Sequence, residues 1–427
     1  MSKSRKTSEK PLVGFFPRFY GMGETYPLIQ IAKRYQELGG KVVFFSHGGE
    51  YEYLAEEIGC KPIRIKPLVR STTKYLLQQN ENNLIKIIES EALSYKKAKI
   101  EALVQTNVFF GCILAARVAR IPLISVVSGT WIPPYIKANP ESFPDAKENA
   151  FTRLIPQDLK NRIFNWYARG YKDPVTKKMN RLAKDLNVDL YFKCKIDLLL
   201  GDYTLVGDDI DFLGLKPTKE FPAQNYIGPI LPYNPQVKKP NQFDDDVEAH
   251  LKRPGKHILL TMGSSLQWKN FFEKILKILN QTNYNFIVTY TTILEESELP
   301  PVNENILLKK FIPNIANLHK LVDLSIIHGG RGTVHAVAYS GKPSIGIPLH
   351  GEQQSNIDTL VHNRVAIKLS KTFFKEKHIL DAITEIFDNY DIYYKNAQNL
   401  AKKLPKPEGD KNAARRIVEI LQQNHQP

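Results

Sequence analysis

Two clusters of glycine and polar residues in the last third of the chain have the types and spacing of a ligand site. In the sequence HGGRGT, His328 follows an apolar run, and Gly332 and Thr333 open a predicted helix. Glycines let the backbone approach a ligand closely, and the N–H groups of a helix N-terminus attract phosphate. His328 can donate to a phosphate oxygen that gains charge as a leaving group departs. Glu352 and Gln353 offer polar atoms for sugar hydroxyls, so the two clusters suit a nucleotide diphosphate that carries a sugar.

Each cluster follows a predicted strand. The apolar run 324–327 and residues 344–348 predict two buried strands, joined through a helix over 333–339. Ligands of α/β sheets bind beyond the carboxyl ends of the strands, so we expect both clusters to face one ligand. The alternative is that HGG forms only a tight turn and the Glu-Gln pair only a solvated loop. A lone HGG would favour that alternative, whereas the joint spacing of the clusters favours a site.

Four motifs in this region resemble the donor site of UDP-glycosyltransferase-like enzymes of glycosyltransferase family 1, which have the GT-B fold. They are FIPN, HGGRGT, GKPSIGIP and EQQSN, in this order. The resemblance implies that Phe311 packs on the nucleobase and that the Ile312 backbone bonds the edge of the base. It also implies that the loop after Met262 lies near the diphosphate or the reacting sugar carbon. The donor-binding residues that it implies are Ser264, Ser265, Phe311, Ile312, His328, Gly330, Gly332, Thr333, Glu352 and Gln353.

Two positions depart from the family pattern. Eight residues after the HGG histidine, where the family usually has a ribose-binding Glu, this chain has Ala336. The motifs therefore predict a nucleotide sugar more firmly than they predict uridine as its base. The first loop of the family commonly reads G-x-G-H-x-x-P, and here it reads GMGETYP, which puts Glu24 where the family has its basic histidine.

Glu24 is the candidate catalytic base. A carboxylate can take the proton of an acceptor hydroxyl when burial or a neighbouring charge raises its pKa toward the working pH. The alternative is that Glu24 only caps a helix that starts near Thr25. The Asp that usually steers the family's histidine is also missing, since residues 103–107 contain none. The loss of both groups fits a base made of one carboxylate, and it equally fits a chain that no longer catalyses transfer.

Apolar runs alternate with helical patterns along both halves of the chain. Residues 12–16, a helix after Pro27 and residues 41–45 predict a βαβ unit, and residues 257–262 begin another. We interpret the sequence SHGG after the second strand as an ordinary strand-end turn, and lining the acceptor cleft is the functional role considered for His47.

This alternation predicts an α/β fold, and the resemblance implies the GT-B architecture. In that architecture two Rossmann-like domains with doubly wound parallel sheets face a central cleft. The predicted parts are an N-terminal acceptor-binding domain over 1–236, an interdomain linker over 237–254, a nucleotide-sugar-binding domain over 255–400, and a C-terminal helix over 401–427 that packs back on the first domain.

Composition bears on the number of domains and on whether the chain has disulfides, a metal ion or a cofactor. Its 427 residues, 42% of them hydrophobic, are enough for two domains. The three cysteines lack the spacing of a disulfide framework or a zinc site, which indicates a reducing cytoplasm. The acidic run at 244–246 lies in the predicted linker, so we interpret it as a solvated helix start rather than a metal-binding DxD element. We expect no metal ion and no cofactor, because the nucleotide sugar is a co-substrate.

The net charge of +15 is unevenly distributed, because residues 1–240 carry +12 of it. A solvated surface is the default interpretation, contact with an anionic membrane is the second, and we see no nucleic-acid-binding motif. The basic start MSKSRKTSEK precedes an apolar run too short for a signal peptide, and no apolar stretch in the sequence reaches membrane-spanning length. We expect a cytoplasmic protein, with peripheral membrane contact as the second interpretation.

The sequence and the resemblance together predict a metal-independent, inverting glycosyltransferase of the hexosyl type. It would move a sugar from a nucleotide-diphosphate sugar, with a UDP-sugar favoured, to a hydroxyl of a lipid, a small aglycone or a glycan. Two rivals stay open. A nucleotide-sugar epimerase on the same fold would use the donor without an acceptor, and a degenerate protein would bind the donor without turnover.

Overall fold

The computed structural model of the chain contains two parallel β-sheets with helices packed on their faces. The described residues are 11–67, 73–106, 110–140, 150–156, 159, 163, 173–231, 242–263, 269–291, 293–349, 351–371 and 374–424. The strands of the first sheet are β1 (Leu12–Phe16), β2 (Lys41–Ser46), β3 (Ile63–Arg64), β4 (Ala102–Thr106), β5 (Leu123–Val127) and β6 (Tyr203–Val206). Those of the second are β7 (His257–Thr261), β8 (Asn285–Thr289), β9 (Ile306–Lys309), β10 (Leu324–Ile327), β11 (Ser344–Gly346) and β12 (Ala366–Lys368).

Both sheets have the same strand order. The first runs β3-β2-β1-β4-β5-β6, and the second runs β12-β11-β10-β7-β8-β9, which is the same order read from the opposite edge. Neighbouring strands pair in parallel throughout. This is the doubly wound order of Rossmann-like domains, so the predicted α/β fold with two doubly wound parallel sheets is confirmed.

Helices connect the strands. In the first half they are α1 (Met22–Glu37), α2 (Tyr53–Glu57), α3 (Thr73–Gln78), α4 (Glu81–Ala98), α5 (Phe110–Ala119), α6 (Pro133–Ala138), α7 (Ala150–Leu154) and α8 (Pro174–Asp185). In the second half they are α9 (Asp245–Leu251), α10 (Lys269–Leu279), α11 (Ile315–Leu318), α12 (Arg331–Ser340), α13 (Gly351–His362), α14 (Glu376–Asp388), α15 (Tyr390–Lys403) and α16 (Gly409–Asn424). Within the described ranges, none of the helices is long and apolar enough to cross a membrane.

Alternating side chains give each sheet two buried faces. In β1, Val13 and Phe15 pack with α1, while Phe16 packs on the opposite face with residues of α4 and α5. In β7, Leu260 and its neighbour Leu259 join separate clusters in the same way. Because both faces are covered by helices, the central strands are continuous apolar runs, which is why they could be recognised in the sequence.

The segment 237–254, predicted as a linker, contains helix α9. The Val247 side chain of this helix is fully buried in a cluster of the second sheet. Asp244 precedes the helix, and Lys309 Nζ lies 2.8 Å from Asp244 Oδ2 and 3.0 Å from Asp246 Oδ2. The acidic run therefore starts a helix, as expected, and it pairs with a lysine of β9.

Helix α16 packs on the first half of the molecule. Its side chains Ala413, Ile417 and Leu421 are buried in the same cluster as Leu28 of α1. At the start of the helix, Asp410 Oδ2 lies 2.6 Å from the Nε atom of an α1 arginine, Arg34. The core of the first sheet is thus completed by a helix that follows the second sheet in the chain.

Candidate functional site

The predicted site residues follow strands at which the sheets reverse their order. In the first sheet the order reverses between β1 and β4, and Glu24 lies in the first turn of α1, just after β1. In the second sheet it reverses between β7 and β10, and His328 directly follows β10. In doubly wound sheets the crevice beside such a reversal is the usual ligand site.

The His328 imidazole is packed between two glycines. A Cβ atom added to Gly263, after β7, would lie 2.7 Å from His328 Nε2, and one added to Gly330 would lie 2.5 Å from it. Gly263 has a φ of +71°, in the left-handed region that favours glycine. The ring is half-buried, and Ser264 and Ser265, which continue this loop, lie outside the described residues. The two glycines therefore give the imidazole its place at the mouth of the crevice.

The glycine turn after His328 leads into the N-terminus of α12. The helix begins at Arg331, two residues before the predicted range 333–339, with Gly330 as its N-cap residue. Gly332 and Thr333 lie in its first turn and are partly exposed. The first N–H groups of a helix have no intrahelical acceptor and carry the positive end of its dipole. This end of α12 therefore has the chemistry of an anion site, beside the imidazole.

Glu352 and Gln353 lie in the first turn of α13 rather than in a loop. Gln353 is buried, and its Oε1 accepts a hydrogen bond of 2.8 Å from the Leu349 N–H. Its carbonyl end therefore fixes the turn after β11, and its amide NH₂ group is the donor that it could offer to a ligand. Glu352 is partly exposed.

The residues expected to contact the base differ in exposure. Phe311, just after β9, has 62% of its surface exposed, whereas Ile312 is buried in the cluster around α9. A ring on the surface can stack on a planar base, and at Ile312 only the backbone could contact it. Ala336 is buried in α12 and offers a ribose no polar side-chain atom. Among the described residues, no group of three His, Cys, Asp or Glu could hold a metal ion.

Glu24 is paired with an arginine of its own loop. Arg18 Nε lies 2.6 Å from Glu24 Oε2, and Arg18 Nη2 donates to Glu24 Oε1 at 2.9 Å. Burial is the largest effect on the pKa of Glu24 and raises it, the neighbouring Arg18 lowers it, and the negative charge of Glu352 raises it. The net result is a pKa of about 7. A carboxylate with this pKa is ionised in a large fraction of molecules at neutral pH, and it binds protons readily.

The structure also bears on the alternative role of Glu24. The N-cap residue of α1 is Gly21, and no side chain caps this end of the helix. Glu24 thus lies in the first turn, where its charge suits the helix dipole, but its oxygens contact the Arg18 guanidinium. Sequence reasoning missed Arg18. The one available signal was an arginine six residues before Glu24 in the same loop.

A buried contact between a histidine and an aspartate joins the two halves. His335 Nε2 of α12 lies 2.6 Å from Asp208 Oδ1, which follows β6, and Asp208 Oδ2 accepts from the Gly129 N–H at 2.6 Å. Burial alone would raise the pKa of Asp208. The charge and hydrogen bond of His335, together with Arg331 and the Gly129 N–H, outweigh that effect and hold the pKa below its ordinary value.

A second polar contact reaches the glycine turn itself. Thr130 of the first half donates from Oγ1 to Asn356 Oδ1 at 3.0 Å, and Asn356 Nδ2 donates to the Gly329 carbonyl at 3.1 Å. Tyr135 OH also donates to the Ser355 carbonyl at 3.3 Å. The segment after β5 is therefore in contact with α13 and, through Asn356, with the HGG turn.

The cleft-lining role considered for His47 is wrong. The ring is buried, with Nε2 2.9 Å from Glu91 Oε1 and Nδ1 3.1 Å from the Ile65 carbonyl and 3.0 Å from the Pro67 carbonyl. Its polar atoms are used inside the first half of the molecule, so it lines no cleft. The SHGG sequence repeats the letters of the donor motif, but its histidine turns inward because α4 supplies a buried carboxylate.

The sequence of the chain is similar to those of known glycosyltransferases. Residues 257–416 match the glycosyltransferase family 28 C-terminal domain. The chain is 24% identical to an uncharacterized UDP-glucosyltransferase, YojK, of Bacillus subtilis over 285 residues, which are 64% of this chain and 67% of the relative. It is 24% identical to a PGL/p-HBAD biosynthesis glycosyltransferase of Mycobacterium tuberculosis over 302 residues, which are 68% of this chain and 63% of that protein. It is 34% identical to the UDP-glucuronosyltransferase 2B17 of Mus musculus over 192 residues, 44% of this chain and 34% of that one.

Solved structures extend the likeness to nearly the whole chain. The glycotransferase of kitacinnamycin has a TM-score of 0.70 at 15% identity and covers 96% of this chain and 99% of its own. A UDP-glucosyltransferase from Polygonum tinctorium has a TM-score of 0.68 at 17% identity, with 97% and 100% covered. The calicheamicin glycosyltransferase CalG4 has a TM-score of 0.67 at 15% identity, with 98% and 100% covered. At these identities the likeness establishes the fold, and the resemblance stated from the motifs is confirmed.

Proposed function

We propose that this chain, which has the GT-B glycosyltransferase fold and carries a family 28 C-terminal domain, moves a sugar from a nucleotide-diphosphate sugar to an acceptor hydroxyl with inversion at the anomeric carbon. The acceptor oxygen attacks that carbon while Glu24 takes its proton. The bond from the carbon to the diphosphate breaks on the opposite face, and the nucleoside diphosphate leaves with the electron pair. A single displacement of this kind inverts the configuration.

The diphosphate is the charge that must be stabilised as it leaves. We assign this to His328 and to the N–H groups at the start of α12, because an imidazole and a helix N-terminus meet there. These groups supply the positive potential that other transferases take from a metal ion, so we propose transfer without a metal ion or a cofactor. We propose a hexosyl group as the transferred sugar because the Bacillus relative is named a UDP-glucosyltransferase. In this scheme Phe311 stacks on the base and the first turn of α13 binds the sugar.

One observation carries the proposal. Glu24 of the first half and Glu352 of the second lie close enough for the charge of Glu352 to raise the pKa of Glu24. The candidate base of the first half and the predicted sugar-binding turn of the second half therefore lie within electrostatic range of each other, which supports transfer between two substrates. The family model and the relatives favour transfer over an epimerase or a degenerate binding protein.

We propose a chemical class for the nucleotide-sugar donor and one for the acceptor. A UDP-sugar is the favoured donor, because the Bacillus and Polygonum relatives are named UDP-glucosyltransferases. A small molecule or a lipid is the proposed acceptor class. The net charge of +12 over residues 1–240 would support peripheral contact of a cytoplasmic protein with an anionic membrane. Sedimentation with vesicles of anionic and of neutral phospholipids tests that contact, and equal sedimentation with both would rule it out.

Glu24→Gln tests the proposed base. We expect transfer to fall at least about 100-fold, since a positioned base contributes that much or more, while donor binding is retained. Release of UDP from UDP-glucose with a panel of hydroxyl acceptors measures transfer, and the donor-dependent rise in melting temperature measures binding. Glu37→Gln is the matched control, because Glu37 lies on the same helix in an exposed pair with Arg34. Turnover by Glu24→Gln within a few fold of the unaltered protein would remove Glu24 from the mechanism.

A further inference from the structure

The loop between β1 and α1 is folded around Arg18. Its carbonyl accepts hydrogen bonds from the Tyr20 N–H at 2.7 Å, from the Gly21 N–H at 3.3 Å and from the Thr25 hydroxyl at 3.1 Å. Thr25 is fully buried. The backbone of Arg18 is therefore fixed by three donors of its own loop and of α1. Its side chain is directed back to the same helix turn, where it meets Glu24.

Arg18 contacts both oxygens of the Glu24 carboxylate. Nη2 donates a hydrogen bond to Oε1 at 2.9 Å, and Nε lies 2.6 Å from Oε2 as an ion-pair contact without the geometry of a hydrogen bond. A planar guanidinium that approaches both oxygens restricts the plane of the carboxylate as well as its position. The bond from Nη2 uses one lone pair of Oε1 and leaves the other for a substrate proton.

We propose that Arg18 is the positioning residue for Glu24, holding the carboxylate in one orientation and in its ionised form. The proposal rests on the proposed function, because it gives Arg18 a role in proton removal from the acceptor. In the family that the motifs resemble, an Asp steers a basic histidine. Here the charges are exchanged, since a cation steers a carboxylate. The exchange explains how the loop works without either family residue.

The electrostatics support this role. Burial raises the pKa of Glu24, and Arg18 opposes that effect, while Glu352 of α13 adds to it. These two are the charged groups that act on Glu24 in the part of the chain that the structure describes. Without Arg18 the carboxylate would keep its proton to a higher pH and could not accept another. During turnover the proton passes from the acceptor hydroxyl to Glu24 and then to solvent, so no further reactant is needed.

Two variants separate orientation from charge. Arg18→Met removes both, and we expect the acid limb of the pH profile of kcat/KM to move upward by about one pH unit or more, because an adjacent arginine lowers a carboxyl pKa by that much. Arg18→Lys keeps the charge but has one nitrogen atom and cannot contact both oxygens, so we expect the limb to stay in place while kcat falls about tenfold. Arg181→Met is the control, because it removes the same charge from an exposed pair between Arg181 of α8 and Glu81 of α4 and should change neither quantity.

A titration of the protein alone supplies a second readout. In protein labelled with ¹³C at the glutamate carboxyls, one resonance should titrate near pH 7, disappear in Glu24→Gln, and move to higher pH in Arg18→Met. Parallel shifts of this resonance and of the acid limb with UDP-glucose as donor support the proposal. A resonance that moves while the limb stays fixed would reduce the pair to a structural contact, and no movement of either would overturn it. Absence of turnover by the unaltered protein, measured first, would instead overturn the proposed function and with it this role of Arg18.

Discussion

At the residue scale, the ionisation of Glu24 should affect the stability of the fold. The pKa of Glu24 is raised to about 7 in the folded protein, chiefly by burial, from an ordinary value of 4.5. The folded state therefore binds the proton more tightly than the unfolded state does. The stability from this group is fully present below the ordinary pKa, and it is lost as the pH rises through about 7.

Glu24→Gln should remove this contribution to the pH dependence of stability. Glutamine resembles the protonated carboxyl group, so we expect equal stability of the two proteins at pH 4.5. At pH 8 the variant should be more stable by about 1–2 kcal/mol. This is less than the full free-energy equivalent of the pKa shift, because the Glu24 side chain is partly exposed and water screens its charge. Urea unfolding at both pH values measures the difference, with Glu37→Gln as control. A difference between the two proteins that is the same at both pH values would contradict the raised pKa.

The sequence of the first loop identified Glu24 as the candidate base, but it did not predict the contact of Glu24 with Arg18. The sequence GMGETYP places a carboxylate where the resemblance implies a base, because motif spacing survives the change from histidine. Arg18 contacts Glu24 only because the loop folds back on its own carbonyl, and no pattern of residue types encodes that turn. His47 illustrates the reverse case, since its motif suggests a cleft but Glu91 holds it inside.

At the element scale, the site depends on how closely the glycine turn approaches the imidazole. Gly330→Ala places a methyl group 2.5 Å from His328 Nε2, so the ring or the start of α12 must move. We expect donor affinity to fall about tenfold or more, since a shift of the donors by about an ångström weakens anion contacts. Titration calorimetry with UDP measures it.

Gly23→Ala is the matched control for this experiment. Its added Cβ would meet no atom within 4 Å, so UDP affinity should be unchanged. A Gly330→Ala variant that binds UDP as tightly as the unaltered protein would show that the turn does not hold the diphosphate. Gly330 has a negative φ of −58°, so any loss comes from the contact with the ring and not from backbone strain.

Elements were predictable to the extent that burial gives them a simple pattern. Strands such as β7 and β10 are covered on both faces, and their apolar runs identified them. The start of α12 and the helix α9 in the predicted linker were harder, because they depend on contacts with other elements. Val247 is buried only because the second sheet provides an apolar surface for it.

At the scale of the whole molecule, the pair of Asp208 and His335 holds the two halves in register. Asp208→Asn leaves the buried imidazole without its carboxylate, and we expect a loss of about 3 kcal/mol in the free energy of unfolding. Urea unfolding at pH 7 measures this value. Asp211→Asn, an exposed neighbour, should change it by less than about 0.5 kcal/mol. Equal losses in both variants would mean that the interdomain pair contributes little.

Contacts of this kind could not be read from the sequence. Asp208 and His335 are 127 residues apart, and Thr130 and Asn356 are 226 apart. Each residue type alone is ordinary, and only the packing of the two sheets brings them together. The two sheets themselves were predictable, since their strand order follows from repeated βαβ units.

The position of α16 has a consequence for how the chain is made. A ribosome delivers α1 early, but the side chains that cover it on α16 come 376 residues later, counted from Arg34 to Asp410. Until then, Leu28 and Ile31 have no cover from α16, and a nascent chain must keep this apolar surface from aggregating. For the same reason, we expect an excised N-terminal half to expose the apolar face of α1 and to aggregate less when residues 409–424 are supplied in trans.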